Sequence, residues 1–231
     1  MTELTIHYSF TFGDGRRLDY PVRLDAETLA PLEPLPKAPP EWTWVSRHQC
    51  EGCRLDPDRH PLCPAALRLI GPARDFGDVL AHERVVLRVE TRERVVTTET
   101  SSQTAVSSLL GLLMAASGCP HTAFFRPMAR FHLPLASEEE TIYRAASMYL
   151  LGQYFRNREG RTPDLELTGL VDLYRRLAEV NRGMAQRLRE ASREDSTVNA
   201  VVLLDLFTKS LPAAVDDALE ELRPLFDAYL D

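Results

Sequence analysis

The chain has 231 residues, 44% of them hydrophobic and 26% charged. That is long enough to bury a substantial core, and the proportions exclude wholesale disorder and a membrane-embedded channel. With 27 basic and 34 acidic side chains the net charge is −7, so the global basic footprint of a nucleic-acid-binding protein is missing.

The first residues, MTELTIHYSF, have no basic region followed by an apolar run, so no signal peptide is read there. The most apolar stretches, 105–116 and 198–207, are shorter than the roughly 20 residues that span a bilayer, and no membrane association is expected. The expected compartment is the cytoplasm, where cysteines serve more often as ligands or free thiols than as disulfides. Only Lys37 and Lys209 are lysine, the other basic residues being arginine. Arginine suits bidentate anion contacts, although an arginine-biased coding sequence is the simpler explanation.

Residues 5–12 alternate apolar and polar, Gly13-Asp14-Gly15 signals a turn, and 18–24 resume an extended pattern. This predicts a β-hairpin whose second strand is pushed to a sheet edge by Pro21. The proline-rich 29–40 cannot be helical and reads as an extended connector, and 41–45 (EWTWV) as a short strand or an aromatic plug. Residues 64–70 predict a short helix opened by Pro64 and stopped at Gly71-Pro72. A second hairpin is expected over 84–90 and 94–99, from their β-branched content.

The character changes at residue 101. Ser101 or Ser102 caps an apolar helix through Ala116, with Gly118 as its stop. Ser137 and Glu140 form a capping box that opens a helix to about Phe155. Leu170, Leu173, Leu177, Val180, Met184, Leu188 and Ala191 form one stripe on a long amphipathic helix over 165–191. Further helices are predicted from Ser196 to about Lys209 and from Pro212, the latter with Val215, Leu219, Leu222, Phe226 and Tyr229 on one face. The fold class is α+β: N-terminal β-hairpins with a cysteine-rich loop, followed by a C-terminal helical bundle. The expected organisation is one domain, 1–231, with a β-rich part over 1–100 and a helical part over 101–231.

Chemistry concentrates in the cysteines. Residues 48–64 read H-x-C-x2-C-x9-C-P through His48, Cys50, Cys53, Cys63 and Pro64, and the fourth cysteine, Cys119, also precedes a proline. A C-x2-C turn can aim two thiolates at one ion, with Gly52 supplying conformational freedom. A cysteine before a proline at a helix start faces free N–H groups, which favour thiolate. The expected metal set is Cys50, Cys53, Cys63 and Cys119, with His48, His60 or His121 as alternates. Zinc is the expected cofactor and an iron–sulfur cluster the alternative, although C-x2-C-x9-C is not the ferredoxin spacing. Ordinary loop thiols, with Cys119 a small buried hydrophobe, are the plainer reading.

A second cluster runs from Ser117 to His132: Cys119, His121, Arg126, Arg130 and His132. A thiolate beside an imidazole could act as a nucleophile, so Cys119 with His121 or His132 is the candidate catalytic group, but no acid partner or oxyanion device is readable. The alternative leaves the arginines solvated and His132 at a helix end. The expected function is that of a soluble metal-binding protein, a binding or accessory module for an unidentified protein partner, rather than an enzyme. Thiol- or metal-dependent catalysis is the second reading and iron–sulfur redox chemistry the third.

The segments HQCEGC-x9-CP, SGCPHTAFFRPMARFHLP and EEETIYRAASMYLLGQYF together resemble a bacterial family of unknown function. The resemblance covers mainly residues 41–158 and implies no activity.

Overall fold

The computed structural model describes residues 2–191, 198–199, 201 and 219–230. Four strands form one antiparallel sheet: β1 (Glu3–Phe12), β2 (Arg17–Asp25), β3 (Arg84–Glu90) and β4 (Val95–Ser101), in the order β2-β1-β3-β4. Both predicted hairpins are present. Alternation decides which face is buried: Leu4, Ile6, Tyr8, Phe10 and Phe12 of β1 point to the core with Val22 and Leu24 of β2 and Val85, Leu87 and Val89 of β3. Pro21 lies on the edge strand β2, as a residue without a backbone donor requires. The other edge, β4, buries none of its residues.

Among the described residues the helices include α1 (Pro64–Arg68), α2 (Ile70–Asp75), α3 (Ser102–Ala115), α4 (Arg126–Arg130), α5 (Glu138–Arg158) and α6 (Thr168–Ala191). The predicted stop at Gly71-Pro72 is wrong. Pro72 is the third residue of α2, inside the first turn, where its missing N–H breaks no helical bond. Residues 41–43 form a 3-10 turn rather than a strand, and Trp44 makes a single bridge to Leu62.

Ser101 caps α3 by accepting from the Thr104 N–H, and Gly118 follows the helix with φ +86. Around α3, Ala105, Val106, Leu109, Leu110 and Leu112 are all buried, so this helix runs through the core. Ser137 and Glu140 form both bonds of the expected capping box, and α5 extends past Phe155 to Arg158. Helix α6 begins at Thr168, later than predicted. Leu167 takes φ +56, and the Asp164 carboxylate accepts from the Gly169 N–H at 2.7 Å, closing the helix start. Its stripe is buried at Leu170, Leu173, Val180, Met184 and Leu188. Most of the two last predicted helices lies outside the described residues; at their end Leu222 is buried, whereas Phe226 and Tyr229 are exposed within a 3-10 segment, Arg223–Tyr229.

Candidate functional site

The cysteines occupy one region. The Cys50–Cys53 turn is closed by the Cys53 N–H donating to the Cys50 carbonyl at 3.0 Å, with Gly52 at φ +69. Cys63 is the N-cap of α1, with Pro64 in the first turn, as expected. Cys119 differs: Pro120 begins no helix, and the cysteine sits in a turn where the Thr122 N–H donates to its carbonyl at 3.1 Å. Gly183 of α6 lets the Cys50 loop approach, because a Cβ there would lie 3.0 Å from the Cys50 sulfur.

The four thiols are close enough to feel one another's charge. Burial pushes the Cys50 thiol up to about 12, and Cys63, Cys119 and Cys53 act in the same direction. Burial also raises Cys119, against backbone N–H groups of His121 and Thr122 that favour its thiolate. The free N–H groups expected at Cys119 are therefore present, and desolvation outweighs them. All four cysteines are free thiols.

The expected metal-binding function is overturned. Among the described residues no group of three or more His, Cys, Asp or Glu side chains is disposed to hold a metal ion. Cys50, Cys53 and Cys63 instead share their surroundings with Arg187, a fully buried cation on α6 whose charge opposes a second one. Arg187 donates through Nη1 to the carbonyls of Trp42 and Trp44 at 2.5 and 2.6 Å and through Nη2 to those of Val45 and His48 at 3.4 and 3.3 Å. Nothing in this arrangement supports zinc or an iron–sulfur cluster as the basis of function. Of the alternates, His48 bonds Glu190 at 2.6 Å, His60 is exposed, and the buried Nε2 of His121 has no partner among the described residues.

The alternative, a thiol enzyme using Cys119 with His121 or His132, finds no activated thiol at Cys119. Burial raises the Cys119 thiol rather than activating it, and the His132 Nε2 bonds the Tyr8 hydroxyl. Arg126 and Arg130 are exposed on α4, with Arg130 over the ring of Phe131.

His132 lines a cavity of about 260 Å³ among α3, α4, α5, α6 and the segment 132–136. Its walls are largely apolar: Leu112, Met114, Phe125, Met128, Leu135 and Leu177 contribute, with Gly111, Ala115 and Ala129 leaving room. Several polar groups converge on this space. Tyr8 reaches from the sheet, its hydroxyl bonded to His132 Nε2 and to the Ser108 hydroxyl, the latter at 2.9 Å. The Leu135 N–H donates to the same Ser108 oxygen at 3.2 Å. Burial holds His132 down to about 3, with the neighbouring Arg144 charge adding to the effect, so the imidazole is neutral. Arg144 of α5 lines the cavity and donates through Nη2 to the carbonyls of Met128 and Phe131 at 3.1 and 2.9 Å. Tyr174 of α6 lines it too, its ring edge-to-face with Phe125 at 5.3 Å between centroids.

Of these groups the sequence reading singled out only His132. Tyr8 looked like one more core position of an alternating strand. Arg144 and Tyr174 each sit one position from a buried residue, Ala145 and Leu173, and that flanking is the signal that could have marked them.

An antiparallel sheet and a partly open apolar pocket among helices define the molecule as an α+β protein. The chain belongs to the family described as a domain of unknown function, DUF6901, whose family model matches residues 6–227. No curated protein and no solved structure matches it.

Proposed function

We propose that this chain is a small-molecule-binding protein whose ligand occupies the cavity among α3, α4, α5 and α6. The observation that carries this reading is the cavity itself: about 260 Å³ of largely apolar space onto which Ser108, His132, Arg144 and Tyr174 converge. Sites that hold small molecules are concave and mostly apolar, with a few placed polar groups that fix orientation. A dry cavity of about 150 Å³ holds benzene, so the larger space here admits a ligand of roughly ten heavy atoms. In this reading the helices beyond residue 101 form a bundle around the ligand and the sheet supports it from behind through Tyr8. The four thiols and Arg187 are structural, tying the 42–63 segment to α6.

The test is displacement of an environment-sensitive apolar fluorophore by small amphiphiles, in the full chain and in Gly111→Leu. Gly111 lines the cavity from within α3, so leucine there fills the space and raises helix propensity. Saturable binding to the wild type that the variant loses supports the reading. Equal binding by a folded variant overturns it.

A further inference from the structure

Resting on the cavity as the binding site, we infer that its ligand is an amphipathic monocarboxylate, with the apolar body among α3, α4 and α6 and the carboxylate between Arg144 and Tyr174.

Arg144 pairs with no carboxylate among the described residues, and its only protein acceptors are the Met128 and Phe131 carbonyls, both taken by Nη2. Its Nη1 and Nε donors are left without a protein acceptor. The closest acidic candidate on its own helix is Glu140, one turn earlier. That carboxylate is committed to the capping box, where it accepts from the Ser137 N–H at 2.8 Å. His132, facing Arg144, is neutral and supplies no negative charge. Glu140 acts on Arg144 only through its charge, so the guanidinium keeps a free edge in mostly apolar surroundings, which favours a negative group on whatever fills the cavity.

Tyr174 is the independent observation. It is only 4% exposed, it lines the cavity, and its hydroxyl makes no hydrogen bond among the described residues. The hydroxyl oxygen is not sealed off, so a ligand oxygen in the cavity can reach it. Arg144 lies close enough for its charge to favour the Tyr174 phenolate, so the two free donor groups share a neighbourhood. A carboxylate has two oxygens. One can accept from the free guanidinium edge and the other from the Tyr174 hydroxyl, with each donor donating. A monoanion matches Arg144, the cation that lines the cavity among the described residues, whereas a phosphate dianion would bring a second charge with no counterpart among them. The apolar wall then selects the body: a hydrocarbon chain or ring of a length set by the cavity.

The pair octanoate and octanamide tests this directly on the wild-type chain at pH 7.5, by calorimetry or fluorophore displacement. The two have the same number of heavy atoms and differ in charge. Octanoate should bind at least roughly tenfold tighter, as expected for one charge-assisted hydrogen-bonding set. Tyr174→Phe should weaken octanoate by roughly threefold to tenfold and leave octanamide nearly unchanged. Arg144→Lys keeps the charge but loses the planar edge, and should weaken octanoate more than octanamide. Equal affinities for octanoate and octanamide in the wild type would overturn the carboxylate assignment while leaving the cavity a binding site. Failure of both, and of the apolar fluorophore, would overturn the binding reading itself.

Discussion

His132 enters the fold as a neutral imidazole held at about 3, well below the roughly 6.5 of an unfolded chain. Between those values the unfolded chain carries a proton that the folded one does not. Its contribution to stability is therefore complete above about pH 6.5 and is lost as the pH falls toward 3. Urea unfolding at stepped pH should show wild-type stability declining through this window. In His132→Gln, which keeps an acceptor for Tyr8, the decline should be smaller by on the order of 2 kcal/mol at pH 4. Identical acid limbs would show that His132 is not buried neutral. Cys50 makes a different prediction. With its thiol at about 12, less than about one molecule in a thousand is thiolate at pH 8, and thiolate is the reactive form. Iodoacetamide should modify Cys50 at least roughly a hundredfold more slowly in the folded protein than in urea. Comparable rates, read by peptide mass spectrometry, would contradict its burial among the other thiols.

At the scale of elements, α5 depends on its start. Ser137 accepts from the Glu140 N–H at 3.1 Å, and Glu140 returns the bond to the Ser137 N–H at 2.8 Å. Ser137→Ala should cost about 1 kcal/mol, a melting temperature lower by roughly 2–4 °C in a chain of this size. An unchanged melting temperature would mean the box adds nothing in this context. The capping box was legible because it is local, two residues at fixed spacing. So were both hairpins, since β1 announces itself by alternation and Gly13-Asp14-Gly15 by its turn chemistry. The order β2-β1-β3-β4 was not legible, because pairing of β1 with β3 joins segments more than 70 residues apart and leaves no local mark. Of the candidate site, the cysteine spacing predicted proximity of donors but not their surroundings. The cation beside them, Arg187, reads in sequence as one more arginine on a long helix. The cavity was invisible for a related reason: its polar groups come from α3, the 132–136 segment, α5 and α6, and no single segment carries a pattern for it.

At the scale of the whole chain, we propose that residues 1–231 unfold as one cooperative unit. Tyr8 of β1 bonds Ser108 and His132, and Arg187 bonds the 42–48 backbone, so the strands and the later helices share buried polar ties as well as a continuous apolar core. Trp42 and Trp44 report on the N-terminal part, while far-UV circular dichroism reports mainly on α3, α5 and α6. The urea transitions seen by tryptophan fluorescence and by dichroism should coincide. Two separated midpoints would divide the chain into independent parts. No helix among the described residues is long and apolar enough to cross a membrane.

The bonds made by Arg187 also bear on how the molecule is made. Its acceptors, from Trp42 to His48, precede it by 139 to 145 residues. At ribosomal rates of about 5–20 residues per second, those carbonyls wait on the order of ten seconds or more for the group that binds them. During that interval water holds the 42–48 segment, and the nascent strands can pair without it. Docking of this segment onto α6 thus waits until α6 has emerged. A chain cut short before Arg187 would hold every strand of the sheet, with the 42–48 segment tied to 61–63 but not to α6.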